Sequence, residues 1–144
     1  MILCIGNRHG GDDSFGPYIS DQLTKKNPKD IKVIDCGTNP ENYTSYVKKI
    51  KPKNVVLIDA VEMGIKPGEI RLIPPEKISE MHVSTHGIPL SVIIKYIQLY
   101  VEKVTLIGIQ PKKIQGEISL KIKEKANILI RKILEKEFFS IKSI

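Results

Sequence analysis

A chain of 144 residues that is 41% apolar can bury one core without disulfide or metal staples, so residues 1–144 read as a single domain. No run of 18 apolar residues is present, which argues against a membrane span, and Met1-Ile2-Leu3-Cys4-Ile5-Gly6 lacks the basic start and small-residue cleavage site of a secretory leader. The formal charge is +7, yet the lysines stand singly or in pairs (Lys25-Lys26, Lys48-Lys49, Lys112-Lys113) without interleaved aromatics, so nucleic acid is not an expected partner. Two cysteines make no disulfide framework, and a reducing cytoplasm is expected.

Residues 2–6 form an apolar run ending in Gly6, as a buried strand does. Phe15, Ile19 and Leu23 then recur at helical spacing, with Pro17 in the first turn, where its missing N–H does no harm. Residues 31–35 alternate as a second strand. Tyr43, Tyr46, Val47 and Ile50 predict an amphipathic helix over 40–51, stopped by Pro52. Residues 54–60 read as a third strand, buried on both faces. The Pro67-Gly68 turn leads into a short strand at 69–73. Pro89 opens a helix with Leu90, Ile93, Ile94, Ile97 and Val101 on one face. Residues 103–110 read as the last strand, and a final helix over about 117–138 turns Ile122, Ala126, Leu129 and Ile133 inward.

Alternating strands and helices imply right-handed crossovers and a mostly parallel sheet covered on both faces. The 69–73 strand follows its predecessor through too short a loop for a helical crossover, so it is expected to run antiparallel. The predicted fold class is α/β: a three-layer α/β/α sandwich around about five strands.

In such a sheet, ligands bind beyond the carboxyl ends of the strands. Those ends carry Asn7 to Asp13 after strand one, Asp35 to Thr38 after strand two and Asp59 on strand three. Ser84-Thr85-His86-Gly87 precedes the Pro89 helix. Asp13 before a helix suits an N-cap as well as a ligand, and Asp12 suits a loop-stabilising Asx residue. His86 on its own is an ordinary polar loop residue. Asp59 is different, because a carboxylate following Val55-Val56-Leu57-Ile58 needs partners. Gly6, Gly10 and Gly11 match no dinucleotide or phosphate fingerprint and read as turn glycines. Two Asp and one His offer donors for Zn, Ni or Fe in an incomplete set, and the same groups suit general acid–base work.

The ordered set Gly6-Asn7, Asp12-Asp13, Gly16-Pro17, Gly37-Thr38-Asn39-Pro40-Glu41, Ile58-Asp59-Ala60, Pro67-Gly68-Glu69-Ile70-Arg71, Thr85-His86 and Gly108-Ile109-Gln110-Pro111 resembles the hydrogenase maturation endopeptidases. The match spans nearly the whole chain. Its Pro-Gly-Glu-Ile-Arg and Gly-Ile-Gln-Pro stretches resemble the formate-hydrogenlyase-type branch. The resemblance implies a peptidase that trims the C-terminus of a nickel-iron hydrogenase large-subunit precursor. It implies that Asp13, Asp59 and His86 are the site residues and recognise nickel already installed in that precursor. Nickel then arrives with the substrate, and no tightly bound metal is expected in the free protein.

Several residues depart from the family pattern. Ser14 stands where Gly usually follows the acidic pair, and would be strained if that position needed a positive φ. His9 replaces a usually apolar residue and offers a further donor. His82 lies four residues before His86, a metal-binding spacing on a helix, but Val83, Ser84 and Thr85 are poor helix formers. Cys4 and Cys36 read as buried, inert thiols. Two rivals remain open. A receiver-like phospho-acceptor domain binding Mg would need Lys before Pro111, where Gln110 stands. A self-sufficient metallohydrolase would carry its own Zn.

Overall fold

Ile2–Ile5 (β1) is buried at every residue and leads through a 3₁₀ turn, Gly11–Ser14, into helix α1, Phe15–Lys26. The computed structural model describes residues 1–80, 82–83 and 87–144. Helix α1 forms because Phe15, Ile19 and Leu23 share one fully buried face, and it stops at Asn27, which adopts the left-handed conformation. Strand β2 is Val33–Gly37, followed by a 3₁₀ turn at Pro40–Tyr43 and helix α2, Thr44–Ile50. Strand β3 is Asn54–Glu62, β4 is Ile70–Ile73 and β5 is His82–Val83. Helix α3, Leu90–Ile97, then precedes strand β6, Lys103–Ile109, and helix α4, Leu120–Leu134.

The main sheet runs β2-β1-β3-β6-β4. The β1–β2, β1–β3 and β3–β6 pairs are parallel and β4 lies antiparallel to β6, as expected from its short connection. Strand alternation sorts the core into two layers. Leu3, Ile5, Val55, Leu57 and Val61 pack with Val47 of α2 and with Leu90, Ile93, Ile94 and Ile97 of α3. Ile2, Cys4, Val56, Ile58 and Ala60 pack with Phe15, Ile19 and Leu23 of α1 and with Ile122, Ala126, Leu129 and Ile133 of α4. The three-layer sandwich is therefore present.

Several boundaries differ from the sequence reading, and Val101, expected on the face of the Pro89 helix, lies beyond the end of α3 at Ile97, although it is buried. Strand β2 sits two residues later than 31–35. The 40–51 helix is divided into a 3₁₀ turn and seven α-helical residues, leaving Ile50 exposed at 43%. Strand β3 continues past residue 60 to Glu62, and its last two residues pair with the unanticipated β5 (Val61 with Val83, Glu62 with His82). The final helix is confined to 120–134, with a separate 3₁₀ turn at Phe138–Ser140. Period alone does not reveal these limits: the β3 extension depends on pairing with β5, and α2 stops where Lys51 turns left-handed and donates its N–H to the Val47 carbonyl. No described helix is long and apolar enough to cross a membrane.

The end of β1 accepts the start of α1 at backbone contact distance. An added Cβ on Gly16 would stand 2.2 Å from the Ile5 carbonyl oxygen, and one on Gly6 would stand 1.9 Å from the Asp13 carbonyl oxygen. Gly6 also holds a φ of 151°, a region that favours glycine. We expect Gly16→Ala to lower stability by more than about 3 kcal/mol, because the obstructing atoms are backbone and cannot rotate away. Chemical denaturation followed by circular dichroism measures this; a loss within the ordinary Gly-to-Ala range would show that β1 and α1 can separate without harm.

Candidate active site

The chain leaves β1 at Gly6, enters β2 on one side of it and, two crossovers after β1, returns in β3 on the other side, so the switch point of the sheet lies at the carboxyl ends of β1 and β3, where a ligand crevice is expected. The β1–β3 ladder ends at Cys4 with Ile58. Asp59 is therefore the first β3 residue beyond it. Across the sheet Asp59 still pairs in register with Gly108 of β6. By alternation its side chain belongs to the layer of Leu57 and Val61, the face covered by α2 and α3.

Asp59 is fully buried. One oxygen, Oδ1, accepts the Ala60 N–H at 2.8 Å, whereas Oδ2 has no hydrogen-bond partner among the described residues. Burial pushes its carboxyl well above the usual range, and repulsion from Asp13 adds to the rise, against a smaller lowering from the Ala60 N–H. Asp13, buried on the 3₁₀ turn, accepts the Asn7 N–H through Oδ2 at 3.1 Å. The N-cap position of α1 is Ser14, so Asp13 does not occupy it. Two carboxylates thus lie within electrostatic reach of each other at this edge, and one oxygen of Asp59 has no partner among the described residues. Among the described residues no third His, Cys, Asp or Glu joins them to form a metal-binding cluster. His86, the third predicted site residue, lies outside the described residues, as do Ser84 and Thr85.

Asp12 has a different task from Asp13. It is fully buried and turned to the loop after β6. Its Oδ2 accepts the N–H of Lys112 (2.7 Å), the N–H of Lys113 (2.9 Å) and the Ser119 hydroxyl (3.0 Å), and its Oδ1 accepts the Ser119 N–H (2.7 Å). Burial alone would raise its carboxyl, but these donors outweigh it and hold Asp12 below the usual range. An Asx turn accounts for none of this, since the partners lie a hundred residues away.

Gln110, also buried, organises the opposite wall. Its Oε1 accepts the Met63 N–H at 2.7 Å and its Nε2 donates to Glu62 Oε1 at 2.8 Å, tying the β3–β4 connection to the end of β6. The receiver reading needs a lysine at this position, and an amide fills it instead. Ser14 has φ −80°, so it carries no positive-φ strain, and its hydroxyl donates to the Gly11 carbonyl at 2.6 Å. His9 is exposed, its N–H bonded to Asn7 Oδ1 at 2.9 Å. The backbone of His82 is in β5, not on a helix. Cys4 and Cys36 are buried; burial raises both thiols, Cys36 to about 12, so neither is a ready thiolate.

A family model described as hydrogenase maturation protease matches residues 17–136, which include Asp59 and His86 and begin just after Asp13. The hydrogenase 3 maturation protease of Escherichia coli K12 is 37% identical over 112 residues, covering 77% of this chain and 72% of that protein. The solution structure of the endopeptidase HycI from Escherichia coli superposes with a TM-score of 0.91 at 30% identity, covering 99% of this chain and 94% of that one. The crystal structure of a NiFe hydrogenase maturation protease HycI from Thermococcus kodakarensis gives 0.81 at 35% identity, covering 94% and 90%.

The two buried acids predict opposite stability effects. Replacing Asp12 by Asn turns an amide N–H₂ toward backbone N–H donors whichever way it is placed, so Asp12→Asn is expected to cost about 3 kcal/mol. Because the folded Asp12 carboxyl is lowered, its contribution is complete above the unfolded value and is lost as pH falls through the folded one. Asp59 is raised, so the wild type loses stability as pH climbs from the unfolded value through the folded value. Asp59→Asn should therefore melt above wild type at pH 7, and the difference should shrink in acid. Melting curves of the three proteins from pH 3 to 8 check both signs; an Asp59→Asn protein that melts lower at pH 7 contradicts them.

Proposed function

The chain belongs to the hydrogenase maturation protease family, whose members are peptidases, and we propose that it removes a short C-terminal extension from the precursor of a nickel-iron hydrogenase large subunit after nickel insertion. One observation carries the nickel part of this reading: Asp59 Oδ2 is buried, lacks a partner among the described residues and is repelled by Asp13. A buried carboxylate in that state is costly to the folded protein. A divalent cation brought by the substrate relieves the repulsion and supplies the missing partner for the oxygen. Precursor without nickel offers no such relief, so the crevice favours the loaded form. Metal coordination coupled to assembly is strong enough to make that preference decisive.

In this reading Asp13 and Asp59 are oxygen donors to the substrate's nickel, and His86 is the third donor on the strength of the family resemblance. Asn7 orients Asp13, and Ala60 orients Asp59, each through a backbone N–H. The chemistry is hydrolysis of one peptide bond near the held nickel. Two carboxylates and an imidazole, without a thiolate, fall short of the closed ligand sets of tight Zn or Ni sites. The free protein is accordingly proposed to hold no stoichiometric metal. The partner is the nickel-loaded precursor, met in the cytoplasm.

Incubation with nickel-loaded precursor should produce a small mass loss, and no processing of any hydrogenase precursor from the same organism would refute the reading. Asp59→Asn should abolish processing while the protein stays folded, and His82→Ala should process normally. Near wild-type processing by Asp59→Asn would make that carboxylate merely structural. Elemental analysis of protein purified without added metal should find less than one Ni or Zn per chain; a full equivalent would favour the metallohydrolase instead.

A further inference from the structure

The loop joining β6 to α4 is held to the site more firmly than a connection requires. Asp12 binds both of its ends, at Lys112–Lys113 and at Ser119. In return the Asp12 N–H donates to the Lys113 carbonyl at 2.8 Å and the Gly11 N–H donates to the Gly116 carbonyl at 3.0 Å, while Gly10 and Gly116 form a β-bridge. The seat admits no side chain at residue 11, because an added Cβ would meet the Gln115 N and O at 2.7 Å. Yet this anchored loop carries Ile114 at its surface, 67% exposed and directly preceded by Lys112 and Lys113, which make no ion pair among the described residues. Glu117 is the loop's one acid. The whole assembly is fastened to the residue directly before Asp13.

We propose that residues 112–117 are a preformed docking element for the precursor protein, with Ile114 as its apolar anchor and Lys112 and Lys113 as a basic rim. The inference rests on the peptidase reading above and names where the substrate is gripped outside the crevice. The partner it fits is a protein surface offering an apolar pocket edged by acidic side chains, within reach of the nickel that Asp13 and Asp59 receive. Continuity with Asp13 selects this occupant, since the loop is bonded to the adjacent Asp12 and leaves β6 at the same carboxyl edge of the sheet, beside a large protein held at Asp13. The rigid seat matters energetically, because a loop already ordered in the free protein loses little entropy when a partner covers it. Bonds at residues 112, 113, 116 and 119 hold the backbone on both sides of Ile114, and an apolar side chain presented from ordered backbone and edged by charge has the make-up of an interface anchor.

The test compares processing kinetics of wild type, Ile114→Asp, Ile114→Ser and the control Leu99→Asp. Leu99 is equally apolar and 72% exposed, but follows α3 and precedes β6, at the amino-terminal end of the sheet. Both Ile114 variants should raise KM for nickel-loaded precursor by about tenfold with kcat unchanged, and Leu99→Asp should match wild type. Lys112→Glu with Lys113→Glu should raise KM at low salt, and the increase should fade at high salt. An unchanged KM in the Ile114 variants, an equal effect in Leu99→Asp, or a loss confined to kcat would overturn the docking role while leaving the function intact. Wild-type protein that neither binds nor cleaves precursor would overturn both.

Discussion

The backbone of residues 13–16 lies directly on the end of β1, and the site depends on that contact. Gly6 and Gly16 make it possible by having no Cβ where carbonyl oxygens of Asp13 and Ile5 stand. With the two segments in contact, Phe15, Ile19 and Leu23 reach the sheet and α1 forms one outer layer. The same contact brings the Asp13 carboxylate to the crevice where β1 has ended and β3 continues to Asp59. Separating β1 from the α1 start by a single methyl group would therefore disturb both the packed layer and the carboxylate pair.

Two adjacent acids on this segment have different tasks, and the difference is one of partners. Asp12 is surrounded by N–H and hydroxyl donors, so ionisation is favoured and the charge fastens two loops together. Asp13 faces the crevice, where it shares space with Asp59. There burial and the neighbouring Asp13 favour the neutral form of the Asp59 carboxyl. Burial of a carboxyl beside another acid lowers stability wherever that carboxyl is ionised, which is why the Asp59 carboxyl is raised.

The walls of the crevice are made of backbone bonded to buried side chains. Asp12 secures the loop after β6, and Gln110 secures the connection after β3 through Met63 and Glu62. Both residues lie at the carboxyl edge of the sheet, and both convert a surface connection into a fixed surface. A peptidase that must accept a large protein substrate gains from such walls, because the approach of the partner then orders little of the enzyme.

The linear chain already determined the layer architecture. Apolar periods of two and 3.6, interrupted by Pro52, Pro67-Gly68 and Pro89, mark the main strands and helices, and the short 69–73 connection dictates an antiparallel strand. Asp59 was legible as exceptional because a carboxylate ends a run of apolar residues. The family motif marked Asp13, Asp59 and His86 together, of which the structure describes the first two and brings them into one crevice. What the chain order could not disclose was long-range pairing. Asp12 looks like a local turn residue until the loop a hundred positions later folds against it, and Ser14 looks strained until its φ is seen to be negative. The extension of β3 to Glu62 likewise depends on β5, a two-residue strand with too little period to read. Local propensity is written in neighbouring residues, whereas hydrogen-bond partners and buried charge are properties of segments that meet only in the folded chain.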